Sequence, residues 1–214
     1  MGPTPISTTL LITAIAIVGL LEVAAAALAT RIPIPGLWLI AATRLAQMLA
    51  VMVLAVVQAG GLHVLGLEKK TILPGCITGL LWSAGFAAAA GLLFLVLFMV
   101  GQHPLAMIRS PLPAEPSQQI LFFFVASIVA PIFEEIFFRG LIFGYIRKWN
   151  LSAAVLISTA LFAAFHFPTI PVTQVVGGLA FAIAYHKSGS LMTPIVIHML
   201  GNLAIFTLSL PVFH

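Results

Sequence analysis

Residues 118–145 read QQILFFFVASIVAPIFEEIFFRGLIFGY. This stretch decides the fold class. A helix needs roughly 20 apolar residues to cross the hydrocarbon of a bilayer, and this run is longer. Its only charges are Glu134, Glu135 and Arg139. Barrel strands would alternate apolar and polar positions, whereas this run is continuous. Charged side chains at membrane depth are costly and mark functional positions by default. The residues that set the fold therefore also raise the question of chemistry.

The rest of the 214-residue chain repeats the pattern, with 62% hydrophobic and 7% charged residues. Soluble domains carry about a quarter charged residues. Nine Lys and Arg stand against five Asp and Glu, for a net charge of +4, and there is no Asp at all. The basic balance thus reflects few acids, with no Lys/Arg cluster of the kind that binds nucleic acid. The single cysteine, Cys76, excludes an intramolecular disulfide and a Cys-based zinc site. The expectation is an all-α, polytopic transmembrane helical bundle of about seven spans, a multi-pass integral membrane protein.

The spans are expected at 6–29, 37–59, 72–100, 118–145, 152–167, 172–185 and 191–210. Residues 101–117, with four prolines, read as a loop, and Pro168 and Pro171 stop the fifth helix. The whole of 1–214 is read as one integral membrane domain. Within it, 1–117 holds three variable helices and the loop, and 118–210 forms a four-helix core with the chemistry. No Lys or Arg precedes Arg31, so the start is a poor signal peptide. Lys69, Lys70, Arg147, Lys148 and Lys187 fall after the even spans, Arg31 and Arg109 after odd ones. The positive-inside rule then places the N-terminus in the cytoplasm and the C-terminus outside.

Three helices of the last four carry polar groups. Glu135 and Arg139 are spaced i,i+4 on one face, with the acid on the N-terminal side, and neutralise each other. Neighbouring positions on a helix differ by about 100°, so Glu134 points elsewhere, lacks a local partner and is a candidate general base. The bland alternative is an ion pair that packs helices. Phe162 and His166 end the fifth helix one turn apart, and Ala163 and Ala164 allow close approach of another helix. His198 and Asn202 share a face of the seventh helix; alone they are a hydrogen-bonding pair that glues the bundle. Gly177, Gly178 and Ala180 permit close packing in the sixth. Together a carboxylate base, two imidazoles and an amide are the parts that activate water and stabilise an oxyanion. Glu with two His is equally a zinc-hydrolase ligand set, though no His-Glu-x-x-His is present.

The motifs Glu134-Glu135-x-x-x-Arg139, Phe162-x-x-x-His166 and His198-x-x-x-Asn202, with Phe138-Arg139-Gly140-Leu141 and Tyr185…Gly189-Ser190-Leu191 around them, resemble the CAAX-protease and bacteriocin-processing family of intramembrane proteases, which includes the Rce1-type prenyl-protein endopeptidases. The resemblance covers about residues 118–208. It implies an endopeptidase acting on a peptide or lipid-modified protein substrate at the membrane lipid. Glu134, assisted by His166, would activate water; His198 and Asn202 would stabilise the oxyanion; Glu135 with Arg139 would hold the geometry. Metal dependence stays open. With no cofactor, Glu134 serves the water; with zinc, the ligands are Glu134, His166 and His198. Two rivals remain: a non-catalytic scaffold or bacteriocin-immunity membrane protein, and a proton- or cation-coupled transporter. Elsewhere, Glu22, Arg44 and Gln47 are expected to pair between the first two helices or to line a cavity. Cys76 is expected to be a buried apolar residue, and His63, His103, His186 and His214 to lie in loops or at the end.

Overall fold

The computed structural model describes residues 6–166 and 172–211, so the expected stop at Pro168 and Pro171, and His214, lie outside the described residues. Among the described residues there are helices and turns and no strand. The principal helices are α1 (Thr8–Ala29), α2 (Gly36–Ala59), α3 (Lys69–Met99), α4 (Pro116–Ile146), α5 (Leu151–Ala164), α6 (Val172–Ser188) and α7 (Met192–Leu208). Their ends follow local chemistry. Ser7 Oγ accepts the Leu10 N–H at 3.1 Å and Asn150 Oδ1 accepts the Ala153 N–H at 2.8 Å, so α1 and α5 start on side-chain caps. Gly60 ends α2 in the left-handed conformation, φ 78°.

Helices α1, α2, α3 and α4 are long and apolar enough to cross a membrane. Helix α5 has 14 residues, about 21 Å of rise, short of the roughly 30 Å of hydrocarbon. The helices alternate in direction. Lys148 Nζ donates to the Ile6 carbonyl at 3.3 Å, which sets the start of α1 beside the end of α4. Tyr185 Oη donates to the Leu65 carbonyl at 3.2 Å and Leu191 N–H to the Gly66 carbonyl at 2.9 Å, at the same end. At the opposite end the Ser110 N–H donates to Ser209 Oγ at 2.9 Å. The connections carrying Lys69, Lys70, Arg147, Lys148 and Lys187 thus share one end.

Helix α4 is the axis of the core. Its Phe133, Phe137 and Phe138 are buried with Phe162 of α5, Phe181 of α6 and Ile195 and Ile197 of α7. Helix α3 docks on α7 through Gly75 and Gly79. A Cβ at Gly79 would stand 2.7 Å from Val196 Cβ and 2.9 Å from the Thr193 carbonyl oxygen, so only glycine lets the two backbones meet. Across this seam Ser190 Oγ donates to the Thr71 carbonyl at 2.8 Å and Thr193 Oγ to the Gly75 carbonyl at 3.1 Å.

Several expectations change. Helix α4 begins at Pro116, inside the expected loop, because a first-turn proline forfeits no helical hydrogen bond. A one-turn helix, Pro104–Met107, interrupts the same loop. The connection after α2 is a 3-10 turn, Leu62–Leu65, whose Val64 and Leu65 are buried in the core. Helix α6 runs on to Ser188, so His186 and Lys187 occupy its last turn, where positive charge suits the helix dipole. Cys76 is only half-buried; it lies beside the narrow glycine seam, not on it. Glu22, Arg44 and Gln47 do pair: Arg44 Nη1 contacts both Glu22 Oε1 and Gln47 Oε1, the latter at 2.7 Å.

Candidate active site

Helix α4 is not a regular α-helix. Residues Val125–Val129 and Glu135–Phe143 form wider π turns, a feature frequent at functional sites. The Ala130 N–H donates to the Val125 carbonyl, five residues back, and the next residue, Pro131, has no N–H to donate. At the far end the Gly144 N–H reaches the Arg139 carbonyl, again five residues back.

Both glutamates face one imidazole. Glu135 Oε1 accepts from Arg139 Nη1 at 2.8 Å and from His198 Nδ1 at 2.8 Å. Glu134 Oε2 lies 3.7 Å from His198 Nε2. The expected Glu135–Arg139 pair is present. The two carboxylates also diverge as expected, one reaching Nδ1 and the other turned to Nε2, and α7 inserts His198 between them. A carboxylate on Nδ1 fixes that nitrogen as the donor, so Nε2 is the atom turned towards Glu134.

The pair is deeply set. Glu135 and Arg139 are both 0% exposed. Arg139 Nη2 donates to the Gly178 carbonyl at 3.3 Å. Its guanidinium lies over the Phe162 ring at 4.4 Å, Phe181 at 5.1 Å and Phe138 at 6.0 Å, within the range of cation–π attraction. Phe181 also stacks on His198 at 4.7 Å, and Phe162 meets it edge-on at 5.6 Å. Gly178 is required for this approach: a Cβ there would come within 2.8 Å of Thr159 Cγ2 and 3.3 Å of Arg139 Nη2. Glu135 Oε2 and Arg139 Nε are buried with no hydrogen-bond partner among the described residues. A pair chosen for stability alone would be better satisfied.

His166 is half-exposed, and its Nδ1 bonds the Phe162 carbonyl at 2.8 Å. A carbonyl only accepts, so Nδ1 carries the proton and Nε2 is the basic nitrogen. His166 and His198 both contact the Phe162 ring, His166 at 4.8 Å. Phe162 is thus the wall between the two imidazoles. Asn202 is elsewhere. Its Nδ2 donates to the Ala126 carbonyl at 2.8 Å, further towards the start of α4. Glu134, Glu135, Arg139 and His198 therefore form one cluster, His166 adjoins it through Phe162, and Asn202 is anchored on the α4 backbone. Among the described residues no group of three or more His, Cys, Asp or Glu stands in an arrangement that could hold a metal ion, the set Glu134, His166 and His198 included.

Two participants escaped the sequence reading. Phe181 carries no signal beyond being apolar. Gly178 was legible as a close-packing position, but not as the residue whose carbonyl receives Arg139.

Residues 116–204 match the family described as type II CAAX prenyl endopeptidase Rce1-like. The membrane-embedded CAAX protease MroQ of Staphylococcus aureus (strain USA300) is 40% identical over 91 residues, 38% of this chain and 36% of that protein. The putative membrane peptidase YdiL of Bacillus subtilis (strain 168) is 37% identical over 84 residues, 38% of this chain and 34% of that protein. The matched part spans about a third of the length of these curated relatives. No solved structure matches. The resemblance drawn from the three motifs is thereby shown for residues 116–204, which contain all of them.

Proposed function

We propose, from the premise that residues 116–204 are of the Rce1-like CAAX endopeptidase type, that this chain is an intramembrane endopeptidase. Its substrate is a peptide or protein held at the membrane, by its own apolar segment or by a lipid modification. The observation that carries the reading is His198, held between Glu134 and Glu135 in a pocket walled by phenylalanines. That arrangement fits acid–base chemistry better than packing, since a packing pair needs only Glu135 and Arg139.

In this reading Glu134 takes a proton from water as the water oxygen bonds to the scissile carbonyl carbon. His166, through its basic Nε2, helps orient that water. The carbonyl π electrons move onto oxygen, and His198 stabilises the resulting oxyanion when its ring carries a proton on both nitrogens, Nδ1–H to Glu135 and Nε2–H to the oxyanion. Collapse of the tetrahedral intermediate reforms the carbonyl and breaks the C–N bond. The leaving amine takes the proton from Glu134. Glu135 and Arg139 keep the imidazole oriented. The chemistry is proposed to need no cofactor. A zinc site built from Glu134, His166 and His198 would still require a separate carboxylate base, and Glu135 is committed to Arg139 and His198.

The test uses purified protein in liposomes, a panel of farnesylated Cys-terminal and single-span peptides, and mass spectrometry of products. Glu134→Gln is expected to lower cleavage by at least about 100-fold, the lower end for loss of a general base, with the same unfolding midpoint. Cleavage unchanged by Glu134→Gln refutes the role. Absence of cleavage, with a proton or cation flux that Glu134→Gln abolishes, favours a transporter.

A further inference from the structure

The backbone of α4 has a missing donor next to its first π turn. In a regular α-helix the Ala126 carbonyl would accept from the Ala130 N–H. That N–H is given to Val125 instead. In the wider register the donor to Ala126 would be residue 131, which is a proline. A carbonyl without a donor at membrane depth is costly. Asn202 Nδ2, 2.8 Å away on α7, occupies that place.

We infer that Asn202 is a positioning residue: its side-chain amide replaces the backbone donor that Pro131 lacks, and so holds α4 in the π register that presents Glu134 and Glu135 to His198. The hydrogen-bond argument stands on the geometry alone; only the purpose of the register rests on the proteolytic reading. Ala126 stands eight residues before Glu134, about 12 Å along a helix axis. The amide is therefore fixed well away from the carboxylates. Were α4 to return to a regular register there, the Ala130 N–H would satisfy Ala126. Everything beyond would then rotate by about one residue step, roughly 100°, and both glutamates would leave the His198 side. Asn202 and His198 lie one turn apart on α7 and grip α4 at two heights, Ala126 and Glu135. Sliding either helix breaks both bonds.

The experiment is a double-mutant cycle read first by thermal unfolding in detergent, which needs no substrate. Asn202→Ala is expected to unfold several degrees lower than wild type. Pro131→Ala restores an N–H at the position that the π register aims at Ala126. The Pro131→Ala/Asn202→Ala protein is therefore expected to unfold at the temperature of Pro131→Ala alone. An Asn202→Ala protein as stable as wild type overturns the inference. So does a double variant that keeps the full loss. Should Pro131→Ala not fold, the first comparison still decides, since an amide acting only on an oxyanion leaves the unfolding temperature unmoved. The second readout is cleavage of the farnesylated peptide: kcat, lost in Asn202→Ala, is expected to return in the double variant. A double variant restored in stability but still without cleavage assigns Asn202 to the substrate and overturns the positioning role. If no protein, wild type included, cleaves any peptide of the panel, the proteolytic reading fails while the stability cycle still tests the hydrogen bond.

Discussion

Replacing Arg139 by methionine removes a cation that is fully buried among the helices. Arg139 and Glu135 are both 0% exposed, so no solvent takes over the carboxylate. Breaking a buried pair by deleting one partner costs about 3–5 kcal/mol. Glu135 Oε1 keeps one partner, His198 Nδ1 at 2.8 Å, which pulls the figure towards the lower end. The guanidinium also gives up its place over Phe162 and Phe181, worth up to about 2 kcal/mol when desolvated; a methionine thioether against the same rings recovers about 0.3–1.5 kcal/mol. The expected net loss is about 3–5 kcal/mol. It is read as a lower midpoint in a denaturing-detergent titration followed by tryptophan fluorescence. Glu135→Gln/Arg139→Met removes both charges, and the glutamine oxygen still accepts from His198. This double variant is expected to recover most of the loss, because an apolar replacement of a whole buried pair is often neutral. An Arg139→Met protein with a wild-type midpoint and no cleavage would refute the reasoning. Arg139 would then act on the substrate and not through Glu135.

Cleavage activity is expected to survive a strong chelator, with metal removal confirmed by elemental analysis; loss that zinc alone restores would make Glu134, His166 and His198 ligands. Gly79→Ala is expected to cost about 1–3 kcal/mol by overpacking, since its Cβ would meet Val196 Cβ and the Thr193 carbonyl at 2.7 and 2.9 Å. The same titration checks it, with Gly19→Ala, where a Cβ meets nothing within 4 Å, as the control that shows only the helix-propensity gain of about 0.5–1 kcal/mol. Arg44→Met is expected to destabilise more than Arg44→Met/Glu22→Gln, because the single change strands Glu22 at membrane depth; equal midpoints for the two would show that Glu22 is solvated without Arg44.

The class of the fold was legible in the sequence because its cause is local. A long apolar run in a bilayer must satisfy its own backbone hydrogen bonds, and the helix does so within one segment. The approximate extent of the long helices, the close-packing glycines of α6 and the identity of Glu134, Glu135, Arg139, His166, His198 and Asn202 as the polar residues of the last four helices could all be read residue by residue. The Glu135–Arg139 pair was readable too, since i,i+4 spacing is a property of one helix.

What the residues do to one another was decided only by the tertiary structure. Periodicity predicted diverging glutamates, and they do reach different atoms, but it gave no sign that His198, 63 residues beyond Glu135, enters between the two carboxylates. It predicted Asn202 beside His198 on one face, but not that its amide donates to the Ala126 carbonyl, 76 residues back. Each of these depends on a hydrogen bond or a packing contact between helices far apart in the chain. A single helix's pattern carries its own faces; the partner that each face meets is set when the helices dock.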